Sequence, residues 1–278
     1  MTTALLTAAE RRALRADFKA LGGDGRVHLH HEDDGLAVVT LDHPGASNAL
    51  SGPMIAALDE AVEALAEGGE RRALLIRARG GKTFCAGADL KVVRAQVGSP
   101  DFARRLSLFM RDLTERIAAL PLVSAVALDG GAIGGGAELC TCADWRFIAQ
   151  DATIRFVHAK LGISPGWGGG GRLTRLVGRG AALRLLTTAR LVEAEEALSL
   201  GLVDGIAPRG GAEVLARAAL AELLIHPAAS VRALKGLVHA ADRLDPVAAA
   251  DVEGEAFVGL WGGPAMREAL ARSGKGRA

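Results

Sequence analysis

The sequence predicts an α/β fold that continues into a helical block at its C-terminal end. Between residues 26 and 205, short apolar segments typical of buried strands alternate with segments that have the apolar spacing of amphipathic helices. This alternation favours parallel strands joined by right-handed crossovers. After residue 205 only the helical spacing continues. A chain of 278 residues, 50% of them hydrophobic, is long enough for one large domain with a sizeable core.

The individual elements follow from local signals. A helix at 8–21 precedes a hairpin whose second strand spans 36–41, and Ser51 is placed to cap the next helix. The remaining predicted elements are strands at 72–80 and 122–131, a helix at 101–120, two short strands within 143–157, and helices at 211–224, 227–241 and 245–260.

Composition excludes several classes of function. Lys and Arg total 33 against 32 Asp and Glu, and the chain has no tyrosine, so neither the overall charge nor the aromatic content favours nucleic-acid binding. No apolar run reaches the roughly 18–20 residues of a membrane span, and the first residues lack the apolar core of a signal peptide. Cys85, Cys140 and Cys142 match no metal or redox motif. We therefore expect a soluble cytoplasmic protein with buried, reduced cysteines.

Two glycine-rich loops follow predicted strands: GGKTFCAGADL at 80–90 and LDGGAIGGGAEL at 128–139. Glycine lets main-chain N–H groups approach a ligand without a Cβ in the way. Two such loops on neighbouring strands can direct their N–H groups at one oxygen, which is the geometry of an oxyanion hole. The alternative is that the glycines at 134–136 only permit tight helix packing.

Four short motifs occur along the chain in a defined order: HPGASNALS (43–51), FCAGADL (84–90), GGGAEL (134–139) and GISPGWGG (162–169). In order and spacing they resemble the enoyl-CoA hydratase/isomerase (crotonase) family, and the resemblance covers the whole chain. It implies a ββα spiral with its core in residues 1–205. It also implies that residues 206–278 form a helical part of the same domain, used to assemble a homotrimer or a dimer of trimers.

The resemblance also implies a substrate bound as a coenzyme A thioester, with neither a metal nor an organic cofactor. The amides of Ala88 and Gly135 would hold the thioester oxygen. Residues of the first loop would contact the coenzyme A portion: Lys82, Cys85, Ala86, Ala88, Asp89 and Leu90. For Lys82 a solvated surface position, and for Asp89 a helix cap, are the simpler interpretations.

The second catalytic position of the family departs from the hydratase pattern. Hydratases of this family use two glutamates to position water and move its proton. Glu138 fills the first position, but His158 stands at the second. The alternative is that His158 is only a half-buried structural histidine and Trp167 only a core aromatic that packs on Pro165.

Two longer segments, IRFVHAKLGISPGWGG at 154–169 and LWGGPAMREALARSGK at 260–275, are similar to the decarboxylating members of this family. This similarity implies decarboxylation of a 2-alkylmalonyl-CoA, with ethylmalonyl-CoA as the foremost substrate and methylmalonyl-CoA as the second. Trp167 would form an apolar wall at the carboxylate. Either His158 or Glu138 would supply the proton. Hydration or isomerisation of an enoyl-CoA is the alternative reaction, and an RNA-binding or scaffold relative is the non-enzymatic one.

Other polar clusters favour structural roles. Asp144 and Arg146 are expected to form an ion pair along a strand. Basic residues within 172–184 are expected on a solvated helix face. His28, His30 and His31 are expected on an exposed strand without acidic partners, which is weak evidence for a metal site.

Overall fold

The computed structural model describes residues 6–67 and 69–275, with side chains up to residue 272. Residues 1–5 and 276–278, at the ends of the two predicted regions 1–205 and 206–278, lie outside the described residues. The helices are α1 Ala8–Ala20, α2 Gly52–Ala66, α3 Leu90–Ala95, α4 Pro100–Ala119, α5 Gly135–Cys140, α6 Gly169–Thr188, α7 Ala194–Ser199, α8 Ala212–Leu224, α9 Ala228–Arg243, α10 Pro246–Leu260 and α11 Pro264–Lys275. The strands are β1 Arg26–His31, β2 Leu36–Asp42, β3 Ala73–Ala78, β4 Thr83–Cys85, β5 Val123–Leu128, β6 Gly131–Ile133, β7 Trp145–Ala149, β8 Thr153–Arg155, β9 Val192–Glu193 and β10 Gly205–Ala207.

The strands form two sheets. The larger has the order β1-β2-β3-β5-β7-β10, in which only the β1–β2 pair is antiparallel. The smaller has the order β4-β6-β8-β9, and its first three strands are parallel. Three consecutive strand pairs, β3–β4, β5–β6 and β7–β8, each contribute one strand to the larger sheet and one to the smaller before the chain enters a helix. This repetition is a ββα spiral, so the predicted fold class is confirmed.

Local signals explain where the early helices begin. The Ser51 side chain accepts a hydrogen bond from the amide of Met54 and caps α2, as predicted. Helix α1 begins with a capping box in which Thr7 and Glu10 exchange side-chain and main-chain hydrogen bonds. Phe18 anchors α1 on the α4 ring of Phe109, with ring centroids 5.1 Å apart.

Buried charges fasten the same helices together. Asp59 on α2 and Asp112 on α4 are 0% and 1% exposed, and Arg116 pairs with both. Arg11 and Arg15 of α1 complete the cluster through Asp112 and Asp59 at 3.0 and 2.5 Å. Breaking such a buried pair leaves an uncompensated charge, so the orientation of α4 is strongly constrained.

The core lies between the larger sheet and the helices that cover it. Strands β2, β3 and β5 are buried along nearly their whole length, as parallel strands covered on both faces are. Among the described residues, no single helix is long and apolar enough to cross a membrane, although α8 and α9 together pass that test as a pair bent by 111°. The shorter strands β4 and β6 fall inside the two glycine-rich loops, and their pairing positions the candidate site.

Candidate active site

The two glycine-rich loops lie against each other. Strands β4 and β6 pair in parallel, with Thr83 opposite Gly131. A Cβ added at Gly87 would lie 2.9 Å from the amide nitrogen of Gly135, and one added at Gly136 would overlap the carbonyl of Cys85. Only glycine permits this approach of one main chain to the other. The glycines therefore serve the contact between the loops.

The amides of the two predicted oxyanion donors, Ala88 and Gly135, are not used in the hydrogen bonds of their own bridge or helix. Ala88 forms an isolated parallel bridge with Leu50, in which the amide of Leu50 donates to Gly87 and the amide of Asp89 donates to Leu50. Because both bonds use the neighbours of Ala88, its own N–H points to the opposite side. Gly135 is the first residue of α5, where an amide has no acceptor within the helix. Neither amide has an acceptor among the described residues.

Glu138 is buried at 1% exposure and both of its carboxylate oxygens are in use. Oε1 accepts from the amide of Gly166 at 3.2 Å and lies 3.0 Å from Nε2 of His158. Oε2 accepts from the amides of Trp167 and Gly169 at 2.8 and 3.0 Å. The carboxylate therefore fastens the 166–169 loop and orients the imidazole.

His158 is buried, at 5% exposure, on a 3₁₀ turn that follows β8. Its Nε2 contacts Glu138, whereas its Nδ1 is buried without a hydrogen-bond partner in the described part of the chain. Buried polar atoms are nearly always paired, so an orphaned imidazole nitrogen indicates a position for a ligand atom. When Glu138 is ionised its carboxylate can only accept, and Nε2 then carries the hydrogen of this bond.

Trp167 belongs both to the core and to the site. The side chain is 5% exposed, and a Cβ added at Gly135 would lie 2.6 to 2.9 Å from three atoms of its six-membered ring. The indole thus packs directly on the α-carbon of one predicted oxyanion donor. Glu138 links Trp167 to His158, because one carboxylate contacts the amide of the first and the imidazole of the second.

The predicted coenzyme A contacts of the first loop have different surroundings. Lys82 and Leu90 are exposed, and Ala86 and Ala88 are partly exposed. Asp89 is buried and accepts from the amide of Lys91, so it caps α3.

Cys85 is buried completely. Its thiol is 0% exposed, and burial raises its pKa to about 12 although the amide of Gly87 donates to the sulfur. Its side chain belongs to the core rather than to a ligand surface.

Two predictions about arginine environments were wrong. Arg146 pairs with Asp204 at 3.2 Å and not with Asp144, which instead pairs with Lys235. The prediction of a solvated helix face holds for Arg175, Arg179 and Arg184, which are exposed. It was wrong for Arg172, which is 4% exposed because it lies in the first turn of α6 and points back into the preceding loop. Both errors concern partners supplied by distant segments, which spacing along the chain does not reveal.

Hydroxyl groups of α4 also hold the site loop, and sequence analysis did not single them out. Ser107 and Thr114 donate to the carbonyl oxygens of Gly166 and Trp167, each at 2.8 Å. The available signal is the position of Thr114, a polar residue that is 0% exposed and lies beside Leu113 on the buried side of α4. A buried hydroxyl requires a partner, so its position predicts a polar contact without identifying it.

The ββα spiral and the paired glycine-rich loops define the class of fold, and comparison with known proteins identifies the family. The model of the enoyl-CoA hydratase/isomerase family matches residues 31–267, and the chain belongs to that family. A crystal structure of an enoyl-CoA hydratase from Bacillus anthracis superposes with a TM-score of 0.84 at 28% identity, covering 91% of this chain and 97% of that one. An enoyl-CoA hydratase structure from Mycobacterium smegmatis gives 0.84 at 29%, covering 91% and 98%.

Sequence relatives point to one branch of the family. The ethylmalonyl-CoA decarboxylase of Gallus gallus is 39% identical over 254 residues, which are 90% of this chain and 85% of that protein. Those of Bos taurus and Homo sapiens are 38% and 35% identical, each over 255 residues, covering 90% of this chain and 82% of the relative. This chain is more similar in sequence to these decarboxylases than to the two hydratases of known structure.

Proposed function

We propose that the protein is a carboxy-lyase that decarboxylates a 2-alkylmalonyl-CoA, with ethylmalonyl-CoA as the preferred substrate and methylmalonyl-CoA as a second one. The similarity to ethylmalonyl-CoA decarboxylases supports the reaction class. The observation that carries the mechanism is the His158–Glu138 pair, in which the carboxylate is saturated and only Nδ1 of the imidazole is free.

The amides of Ala88 and Gly135 bind the thioester oxygen in this proposal. The bond between the α-carbon and the carboxylate breaks, carbon dioxide leaves, and the electron pair forms an enolate whose oxygen lies between the two amides. Donors aimed at charge that develops in the transition state are worth about 3 kcal/mol each. Because the thioester itself accepts the electrons, the reaction requires no metal and no organic cofactor.

His158 completes the reaction by protonating the enolate. In its cationic form it carries hydrogen on both ring nitrogens. Nε2–H remains bonded to Glu138, and Nδ1–H passes its proton to the α-carbon, which gives the acyl-CoA shortened by one carbon. The imidazole then takes a proton from solvent. Glu138 orients the ring, as a carboxylate does for the histidine of a hydrolytic triad.

The indole of Trp167 forms the apolar wall beside the leaving carboxylate. An apolar surface there disfavours the charged reactant relative to neutral carbon dioxide. Its contact with Gly135 keeps this wall next to the enolate oxygen. Hydration of an enoyl-CoA is the weaker alternative, because the second glutamate that hydration requires is replaced by His158.

We further propose that the C-terminal helices assemble the chain into a trimer or a dimer of trimers. No residue of α10, all of which the structure describes, is buried within the chain, and Phe257, Val258 and Trp261 are exposed. Phe257 and Trp261 line an apolar cavity of about 950 Å³ between the C-terminal helices and the first residues of β5 and β7. Sedimentation equilibrium tests this proposal, and a monomeric protein at assay concentrations contradicts it.

One assay tests the proposed reaction. The protein is incubated separately with ethylmalonyl-, methylmalonyl-, malonyl- and crotonyl-CoA, and the products are resolved by mass. We expect the loss of carbon dioxide to be fastest with ethylmalonyl-CoA, His158→Ala to abolish most of the turnover, and the exposed control His30→Ala to retain it. Hydration of crotonyl-CoA at a rate that rivals decarboxylation, or full activity of His158→Ala, contradicts the proposal.

A further inference from the structure

We propose that Arg172 is a positioning residue whose buried guanidinium holds the main chain on two sides of the site and thereby fixes the Trp167 indole against Gly135. Only the expected effect on turnover rests on the proposed function. The contacts themselves, and the packing of the indole, do not depend on which reaction the site performs.

The guanidinium bridges two segments that are far apart in the sequence. Nη2 of Arg172 donates to the carbonyl oxygens of Trp167 at 2.8 Å and of Glu138 at 3.3 Å. Nε donates to Oγ1 of Thr141 at 3.1 Å, and that hydroxyl itself donates to the carbonyl of Glu138. One planar group therefore ties the 166–169 loop to α5, the helix that begins in the second glycine-rich loop.

The peptide groups that flank Trp167 are fixed from both ends. The amide of Trp167 donates to Glu138, and its carbonyl accepts from Arg172 and from Thr114, each at 2.8 Å. The next residue, Gly168, has a φ of 80°, and a Cβ there would lie 2.8 Å from Nη1 of Arg172. The left-handed backbone and the close arginine both require glycine at this position.

The charge of Arg172 is balanced locally. Its Nη1 lies 3.2 Å from Oε1 of Glu115 on α4, and Oε2 of the same carboxylate accepts from Arg243 on α9 at 2.6 Å. Removal of the guanidinium would leave Glu115 with one partner and release the Trp167 carbonyl from one of its two donors. We therefore expect the loop to loosen locally while the fold persists.

A loosened loop displaces the indole relative to the enolate oxygen. Small errors in placement lower the rate of the chemical step, by about 10- to 100-fold for a shift on the order of 1 Å. Binding of the coenzyme A portion depends on other residues. The expected signature is a large fall in kcat with little change in KM, with kcat calculated per folded molecule because partial unfolding alone would also lower the apparent kcat.

The test uses the full chain with Trp145→Phe and Trp261→Phe, so that fluorescence reports only Trp167. In this background we expect Arg172→Ala to shift the emission to longer wavelength and to lower kcat by about 10- to 100-fold. Millimolar guanidinium chloride should partly restore both quantities, whereas sodium chloride at equal ionic strength should not. Arg172→Lys should remain impaired, because an ammonium cannot reproduce the fork of donors.

The control is Arg175→Ala on the same helix, whose side chain is 44% exposed and pairs with Asp242 at 3.5 Å. It should change neither emission nor kcat. If Arg172→Ala does not fold, Thr114→Val removes the other donor to the Trp167 carbonyl and should give the same, smaller, changes. Unchanged emission in the Arg172 and Thr114 variants overturns the inference. A wild type that releases no carbon dioxide contradicts only the proposed function, because the emission measurements still decide the role of Arg172.

Discussion

The hydrogen bonds of Glu138 allow one substitution to be predicted in detail. In Glu138→Gln one carboxylate oxygen becomes an NH₂ group, which donates where the native atom accepts. At the Oε2 position this group would face the amides of Trp167 and Gly169, at 2.8 and 3.0 Å. At the Oε1 position it would face only the amide of Gly166, at 3.2 Å, together with Nε2 of His158. The glutamine is therefore expected to place its NH₂ group at Oε1.

The cost follows from this arrangement. His158 can adapt by moving its hydrogen to Nδ1, but the Gly166 amide loses its acceptor, at a cost of about 1 to 2 kcal/mol. The two bonds that remain at Oε2 lose their charge assistance, about 1 kcal/mol together. A total of about 2 to 3 kcal/mol corresponds to a decrease in Tm of roughly 4 to 6 °C, since each kcal/mol shifts a chain of this size by about 2 °C.

Thermal and denaturant unfolding of Glu138→Gln measures this loss, with Glu195→Gln on the exposed face of α7 as the matched control. Hydrogen exchange should also show faster exchange of the Gly166, Trp167 and Gly169 amides in the variant. A Tm within about 1 °C of the wild type, where a decrease of roughly 4 to 6 °C is expected, together with unchanged exchange, would refute the view that this carboxylate holds the loop.

Three further predictions concern a glycine, a thiol and a carboxyl group. Gly135→Ala places a Cβ 2.6 Å from Trp167. It should therefore lower the free energy of unfolding by about 1 to 3 kcal/mol and remove most of the proposed decarboxylase activity. Gly171→Ala, with open space around its Cβ, should change neither quantity. Burial raises the pKa of Cys85 to about 12, so we expect iodoacetamide to label it at pH 8 only after unfolding, and rapid native labelling would contradict its burial. Burial acts to raise the pKa of Glu115, but the neighbouring arginines outweigh burial and hold this pKa below 4.5. The ion pairs of Glu115 therefore stabilise the fold above pH 4.5, and this stabilisation is lost as the pH falls through the lowered pKa. Denaturant titrations should show that Glu115→Gln loses less stability than the wild type on acidification below pH 4.5, and parallel curves would show that the pair does not contribute.

Local patterns determined most of the secondary structure. The apolar spacing and the capping serine of α2, and the apolar segments that became β3 and β5, depend on residues within a few positions of one another. Short elements such as β4, β6 and α7 gave no comparable signal, because three to six residues contain too little periodicity. The ββα arrangement itself followed from the motif resemblance and not from the periodicity.

The sequence by itself determined the class of fold and the family motifs, and it singled out His158. Only the tertiary structure decided what these residues contact. Glu138 receives its donors from 20 to 31 residues away, and Arg172 binds groups on α4, on α5 and in the adjoining loop. Spacing along a chain records which residues share a face of one helix or strand. It does not record which faces of distant elements meet, and those meetings give the imidazole its one free nitrogen and bury the guanidinium beneath the site.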